Sequence, residues 1–135
     1  MNIKQDSRFL FNLLRWKLFG RRFPGHVALA VTNRCNLNCA YCYAKEAGAK
    51  PGDELSTQLI FDLIDTLYKM GTRYIVLTGG EPLLRRDIGQ IIDYITGKGL
   101  VCSMSTNGLL LEDKIDEIAG LNAMNISLDG SEEQH

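Results

Sequence analysis

The 135-residue chain lacks several features that mark particular classes of protein. It has no basic surplus, because 15 Lys and Arg face 16 Asp and Glu for a formal charge of -1, whereas proteins that bind nucleic acids usually carry a basic surplus. It has no apolar run close to the ~20 residues that a membrane-spanning helix needs. Its first residues lack the small-residue cleavage site of a secretory signal. These absences predict a cytoplasmic protein that does not bind nucleic acid.

Cysteine is scarce and unevenly distributed. Of the four cysteines, Cys35, Cys39 and Cys42 lie close together, while Cys102 stands alone in an apolar segment. Three clustered thiols and one distant thiol make a poor disulfide framework, and a reducing compartment favours metal ligation over disulfides. Free cysteine is among the most buried residue types, so we expect Cys102 in the core. The three clustered cysteines are therefore candidate metal ligands.

Apolar periodicity predicts strands that alternate with helices. Short apolar runs at 27–31, 74–78, 101–105 and 123–128 are typical of buried parallel strands, whereas residues 57–70, 88–97 and 115–119 show helical spacing. Ser56 is a candidate N-cap and Gly71 a candidate stop for the first of these helices. The alternation indicates an α/β fold, a partial (β/α) barrel of parallel strands with about three and a half βα units. The last strand should leave an unprotected apolar edge.

The amino-terminal segment forms a unit of its own in this interpretation. Residues 1–22 predict an amphipathic helix, and Pro24 and Gly25 separate it from a core domain at 23–135 that is incomplete on its carboxyl-terminal side. Such a helix could dock on a membrane surface, on a partner, or over the open base of the barrel. Packing within the chain is the favoured outcome.

The cysteine cluster follows the first predicted strand, and ligands of parallel α/β folds bind at that end of a sheet. Its spacing at 35–42 is CxxxCxxC. Three thiolates can hold three irons of a cubane cluster and leave the fourth iron open to another ligand. The alternative is a zinc site with three sulfurs and one further ligand, which His26 could supply. The lack of a second pair of closely spaced cysteines favours iron.

Four motifs in order resemble those of radical S-adenosylmethionine (SAM) enzymes. The segment CNLNCAYC at 35–42, with Tyr41 before the last cysteine and Tyr43 after it, resembles the family signature CxxxCxxC with an aromatic residue at that position. TGGEPLL at 78–84, STNG at 105–108 and SLDG at 127–130 follow, each at the end of a predicted strand. The resemblance covers residues 27–130, which is most of the chain.

The resemblance implies a cofactor pair and a reaction. Cys35, Cys39 and Cys42 would bind a [4Fe–4S] cluster, and SAM would chelate its open iron. Reductive cleavage of SAM would then give a 5′-deoxyadenosyl radical that abstracts hydrogen from a small-molecule or peptide substrate. A reducing donor such as flavodoxin or ferredoxin is also implied. A non-catalytic iron–sulfur or zinc module and an inactive truncated product stay open as alternatives.

The resemblance also implies contacts to SAM. The positions are Tyr41, Gly79, Gly80, Glu81, Pro82, Thr106 and Ser127. Glycine carbonyls can accept hydrogen bonds from the SAM ammonium, Glu81 would fix the loop or meet the ammonium, and Tyr41 would contact adenine or pack within its loop. Asn107 and Gly108 predict a turn. Two neighbouring arginines, Arg85 and Arg86, predict a solvated face.

Overall fold

The computed structural model describes residues 3–20, 22–42 and 54–128. Within these ranges, four strands form one parallel sheet in the order β1–β2–β3–β4. The strands are β1 (His26–Thr32), β2 (Tyr74–Gly79), β3 (Val101–Thr106) and β4 (Ala123–Ile126). The helices are α1 (Ile3–Phe19), α2 (Thr57–Met70), α3 (Ile88–Gly97) and α4 (Leu111–Lys114), with 3-10 helices at Pro82–Leu84 and Asp116–Ile118. Parallel neighbours in chain order are what successive βαβ units produce, so the predicted fold class is confirmed.

The core lies between the sheet and helices α2 and α3. Its fully buried side chains include Ile60 and Ile64 of α2, Ile88, Ile91, Ile92 and Ile95 of α3, and Ile75, Leu77, Cys102 and Met104 of β2 and β3. Helical spacing places each set of isoleucines on one face of its helix. Burial raises the pKa of the Cys102 thiol to about 12, so the predicted core position of this cysteine is confirmed.

The boundaries of α2 follow the residues predicted to set them. The Ser56 hydroxyl accepts a hydrogen bond from the Leu59 amide at 3.3 Å, and Gly71 ends the helix in a left-handed conformation with a φ of 96°. The weaker prediction was the helix at 115–119. Those residues instead contain a 3-10 helix at Asp116–Ile118. The α-helix, α4, lies before them at Leu111–Lys114, because the Leu111 amide donates to the Gly108 carbonyl at 3.2 Å and helical structure begins earlier.

The sheet has its amino end covered by α1 and one edge formed by β4. Phe9 packs edge-on against Phe23 and Tyr74, with ring centroids 5.6 and 6.1 Å apart. At the other side, β4 is a terminal strand on which Ile126 is exposed, as predicted for the last strand.

Among the described residues, no helix combines the length and apolar character that crossing a bilayer requires.

Candidate functional site

A cavity of about 370 Å³ opens at the carboxyl ends of the strands, a volume within the range of small-molecule sites. Its walls are the cysteine segment, the end of β2, and the ends of β3 and β4. The lining residues are Cys35, Leu37, Cys39, Tyr41, Cys42, Thr78, Gly79, Gly80, Ser105, Thr106, Asn107 and Ser127. The structure therefore brings together all the predicted site residues except Glu81 and Pro82.

The three cysteines share one wall of this cavity. Cys35 is exposed and Cys39 and Cys42 are half-buried, and the Leu37 amide donates a hydrogen bond to the Cys35 sulfur at 3.4 Å. Among the described residues, no three His, Cys, Asp or Glu side chains converge on one point that could hold a single ion. In an iron–sulfur site each thiolate binds a different iron, so thiols distributed over one wall fit such a cluster.

His26 lies far from these cysteines. It begins β1, whose seven residues separate it from the cysteine segment by about 20 Å of strand. Its ring packs edge-on against Tyr74 at a centroid distance of 6.2 Å, in a second cavity at the amino end of the sheet. The prediction that His26 could complete a zinc site with the three cysteines is therefore wrong.

Gly79 and Gly80 permit a close approach between the end of β2 and the chain that leads into the cysteines. A Cβ atom at Gly79, whose φ is 139°, would lie 2.2 Å from the Thr32 carbonyl oxygen, and one at Gly80 would lie 2.1 Å from that of Arg34. The Gly80 amide donates to the Thr32 carbonyl at 2.8 Å, and the Glu81 amide donates to the Arg34 carbonyl at 2.7 Å. Both positions require glycine for this backbone pairing alone, whether or not a cofactor is bound.

Glu81 joins the ends of two strands. Its side chain is only 1% exposed and accepts hydrogen bonds from the Thr106 hydroxyl at 2.7 Å, the Asn107 amide at 2.8 Å and the Leu83 amide at 3.1 Å. Of the two roles predicted for it, fixing the loop is the one that these contacts show. Pro82 is buried and starts the following 3-10 helix, a position that suits its fixed φ.

The turn after β3 also contacts the cysteine segment. The Thr106 hydroxyl, besides donating to Glu81, accepts from the Gly108 amide at 3.0 Å. Asn107 accepts from the Leu109 amide at 3.0 Å, which confirms the predicted turn. Its side-chain amide also donates to Asn36 at 2.8 Å. Nothing in the sequence predicts this last contact, since its partners are 71 positions apart.

A buried arginine connects the two sides of the cysteine segment. The Arg85 guanidinium donates to the Val31 carbonyl at 2.7 Å and to the Leu55 carbonyl at 3.0 Å. It also forms a bidentate ion pair with Asp87, with both N–O distances 2.8 Å. This pair holds the pKa of Asp87 down at about 2. The prediction of a solvated face is therefore wrong for Arg85, although Arg86 is exposed.

A second polar cluster lies beside the first. The Arg34 guanidinium donates to the Glu54 carboxylate at 2.7 Å and to the Leu84 carbonyl at 3.2 Å, and the Thr32 hydroxyl donates to Glu54 as well. The hydrogen bond from Arg34 holds the pKa of Glu54 below its usual value. Because Arg34 directly precedes Cys35 and Glu54 lies beyond Cys42, this cluster also joins the chain on either side of the cysteines.

Residues 29–135 match the family model described as the Radical SAM superfamily. The chain belongs to this superfamily. Its members are enzymes that use a [4Fe–4S] cluster and SAM, and the three cysteines on one cavity wall fit the cluster. Three residues of the resembling motifs, Tyr43, Asp129 and Gly130, lie outside the described residues.

Curated relatives carry several different names. A probable GTP 3',8-cyclase of Archaeoglobus fulgidus is 42% identical over 80% of this chain and 36% of its own length. An AdoMet-dependent heme synthase of Oleidesulfovibrio alaskensis is 44% identical over 77% of this chain and 28% of its own length. An Fe-coproporphyrin III synthase of Methanosarcina barkeri is 35% identical over 89% of this chain and 34% of its own length. The chain thus spans about a third of the length of these relatives.

A solved structure shares the fold. The crystal structure of Streptococcus suis SuiB bound to the precursor peptide SuiA superposes with a TM-score of 0.67, covering 89% of this chain and 27% of that one. Sequence identity is 17%, so the likeness concerns the arrangement of strands and helices.

Proposed function

We propose that this chain is the cofactor-binding part of a radical SAM enzyme, in which Cys35, Cys39 and Cys42 hold a [4Fe–4S] cluster and the cavity beside them holds SAM. The observation that carries the proposal is the shared cavity, because residues from four separate sequence motifs line it together. When bound and reduced, such a cluster supplies one electron that breaks a carbon–sulfur bond of SAM, giving methionine and a 5′-deoxyadenosyl radical.

The residues of this chain bind and orient the cofactors in this proposal. Gly79 and Gly80 line the cavity without a side chain between their backbone and a ligand, and their carbonyl groups can accept hydrogen bonds from SAM. Ser127, which is exposed and lines the cavity, offers a hydroxyl to the polar groups of SAM. Tyr41 offers an aromatic ring to adenine.

Thr106 and Glu81 hold the ends of β2 and β3 in place in this proposal. Both are buried and hydrogen-bonded to one another, so the Glu81 carboxyl positions the Thr106 hydroxyl and the Asn107 backbone amide rather than meeting the SAM ammonium. Pro82 acts with them by starting the helix that follows the loop. This assignment narrows the predicted set of direct SAM contacts to Tyr41, Gly79, Gly80, Ser127 and the cavity-facing atoms of Thr106.

The substrate is a small molecule or a peptide in this proposal. The names of the curated relatives refer to a nucleotide and to porphyrin products, and the structural neighbour is bound to a precursor peptide. A reducing protein such as flavodoxin or ferredoxin would supply the electron. We also propose a cytoplasmic location, because a reducing compartment keeps thiols available as ligands.

Anaerobic reconstitution tests the proposal. The 135-residue chain is loaded with iron and sulfide, reduced with dithionite and given SAM, and 5′-deoxyadenosine is quantified. Electron paramagnetic resonance of the reduced protein, recorded with and without SAM, reports cluster type and SAM binding independently of turnover. We expect a cluster whose signal changes when SAM is added, with cluster binding better retained than turnover.

Two cysteine variants make a matched pair. Cys39→Ala removes a predicted ligand and should abolish the cluster signal, while Cys102→Ala removes a buried thiol on β3 and should keep it. A signal retained in Cys39→Ala, or lost equally in both variants, would refute the ligand assignment. A cluster that is indifferent to SAM and yields no 5′-deoxyadenosine would instead favour the non-catalytic iron–sulfur module.

A further inference from the structure

Helix α1 has a second apolar face that points away from the sheet. Leu10, Leu14 and Leu18 are spaced four residues apart and therefore lie on one side of the helix. Phe11 lies beside them, and all four side chains are more than half exposed. The residues that face the sheet are different, because Phe9 and Leu13 line the cavity beneath the helix. Trp16 and Phe19 are also exposed, but they lie on other sides of the helix. We call Leu10, Phe11, Leu14 and Leu18 the outer face of α1.

Basic side chains flank the outer face. Arg15 lies one turn after Phe11, with its guanidinium carbon 5.6 Å from the centroid of that ring, and exposed Lys17 lies at the opposite edge, beside Leu10 and Leu14. Residues 1–22 contain six Lys and Arg and one Asp, whereas residues 23–135 contain nine Lys and Arg and fifteen Asp and Glu. The positive charge of a nearly neutral chain is therefore concentrated in residues 1–22, the segment that contains α1.

We propose that the outer face of α1 docks on an anionic membrane surface. Interfacial helices combine an aromatic and leucine-rich face with Lys and Arg, and lie in the plane of the headgroups. Leu10, Phe11, Leu14 and Leu18 would enter the boundary between headgroups and acyl chains, and Arg15 and Lys17 would contact lipid phosphates. A symmetric pairing of two such faces would bring together two segments of the same positive charge, which disfavours a second copy as the occupant.

Docking through α1 would leave the cysteine cavity open, because the helix and the cavity lie at opposite ends of the sheet. Helix α1 covers the amino end of β1 and β2, and the cysteine cavity opens at the carboxyl ends of the strands. A protein held on a membrane through α1 would therefore keep that cavity accessible. The proposal does not depend on the function proposed above, because it rests on α1 alone.

Vesicle sedimentation tests the proposal with the full chain. The probes are vesicles of phosphatidylcholine and phosphatidylglycerol in equal parts, and vesicles of phosphatidylcholine alone. Leu10→Ser with Leu14→Ser removes two apolar side chains that are 63% and 52% exposed, and the matched control is Leu109→Ser with Leu59→Ser, at 63% and 54%. Circular dichroism establishes that each variant is folded, and gel filtration reports its oligomeric state.

We expect the wild type and the control variant to sediment with anionic vesicles, and the α1 variant to bind at least about tenfold more weakly. Replacing Arg15 and Lys17 by Gln should weaken binding to anionic vesicles, as should raising the salt concentration. The proposal is overturned if the wild type stays in solution with anionic vesicles, or if both leucine pairs weaken binding equally. It is also overturned if the α1 variant dissociates a dimer that does not bind vesicles, because the face would then be a protein interface.

Discussion

The two ends of the parallel sheet differ in the buried charged side chains that hold them together. At the carboxyl end, Glu81 joins β2 to β3, and Arg85 joins the carbonyls of Val31 and Leu55, all through hydrogen bonds. At the amino end, the Thr72 hydroxyl donates to the Pro24 carbonyl at 2.6 Å, and Phe9 packs against the rings of Phe23 and Tyr74. Hydrogen bonds constrain both distance and direction, whereas apolar burial is non-directional. Because hydrogen bonds of charged groups are shorter and stronger than those of neutral groups, and the buried charged side chains Glu81 and Arg85 both lie at the carboxyl end, the end that carries the cysteines is the more narrowly fixed.

At the carboxyl end of the sheet, the stability of the fold and the geometry of the site depend on the same residues. A cavity whose walls come from separate motifs needs each strand end held in position relative to the next, and positioning on rigid elements is what a precise site requires. Variants at the carboxyl end should therefore disturb both folding and cofactor loading. Variants at the amino end should disturb folding alone.

The largest effect is expected at Glu81. Glu81→Ala leaves three donors without their acceptor, the buried Leu83 amide and Thr106 hydroxyl and the half-buried Asn107 amide. Each buried unsatisfied group costs about 1–3 kcal/mol of stability. We expect a loss of at least about 3 kcal/mol in the free energy of unfolding, measured by urea denaturation. Because the free energy of unfolding of a whole domain is only about 5–15 kcal/mol, this variant is expected to be barely folded.

Glu81→Gln gives an informative second measurement. Gln keeps one acceptor oxygen and places an amino group against a donor, so the variant should fold with an intermediate loss of stability and a reduced iron content after reconstitution. A Glu81→Ala protein that unfolds within about 1 kcal/mol of the wild type would show that the carboxyl bridge does not hold the strand ends.

Gly80→Ala should have the next largest effect. The new Cβ would lie 2.1 Å from the Arg34 carbonyl oxygen, so the backbone before Cys35 has to move. We expect this to lower the free energy of unfolding by about 2–3 kcal/mol. The same substitution at Gly97, where the new Cβ would meet no atom within 4 Å outside its chain neighbours and the helix backbone, should be neutral or stabilise α3 by about 0.5–1 kcal/mol. Urea denaturation and iron content are measured for both. Equal iron content would mean that the close approach does not position the cysteines.

The acid dependence of stability tests the Arg85–Asp87 pair. The pKa of Asp87 is lowered from 3.8 to about 2, chiefly by its hydrogen bonds from Arg85. Because the folded value is the lower one, this stabilisation is complete above the unfolded value and is lost as the pH falls from about 4 to about 2. It should amount to about 2 kcal/mol.

Asp87→Asn should remove this part of the acid dependence. The free energy of unfolding is measured between neutral and acidic pH for both proteins, and the two curves should converge as the wild-type carboxylate is protonated. Curves that stay parallel over this range would show that a carboxylate other than Asp87 causes the loss of stability in acid.

Much of the architecture was predictable because local patterns determine it. Helix α2 runs over Thr57–Met70, the range that apolar spacing predicts, since Ser56 caps it and Gly71 ends it. The four strands lie close to their predicted places because each is an apolar run between turn residues, although β4 ends at Ile126 and not at Leu128. The cysteine, TGGEPLL and STNG motifs meet at one cavity, because parallel strands bring their carboxyl ends to the same edge.

The polar contacts that fix the site were not predictable. Arg85 and Arg86 are adjacent in the sequence, and no sequence pattern distinguishes them. Only Arg85 is buried, because the folded chain places the carbonyls of Val31 and Leu55 against its guanidinium. The bond between Asn36 and Asn107 joins two turns that are distant in sequence. Such contacts depend on side-chain geometry between elements, and a periodic pattern contains no information about that geometry.

The smallest effect is expected at the amino end, where the comparison between the two ends can be refuted most directly. Phe9→Leu keeps an apolar side chain but removes the ring that packs edge-on against Phe23 and Tyr74, and aromatic pairs contribute about 0.5–1.5 kcal/mol beyond their area. We expect a loss of about 1 kcal/mol in urea denaturation, with the same iron content and the same change in the paramagnetic signal on adding SAM as the wild type. A loss of iron in proportion to the loss of stability would mean that the sheet transmits the disturbance from one end to the other. The separation of folding contacts from site contacts would then be incorrect, and the cluster would depend on the whole sheet.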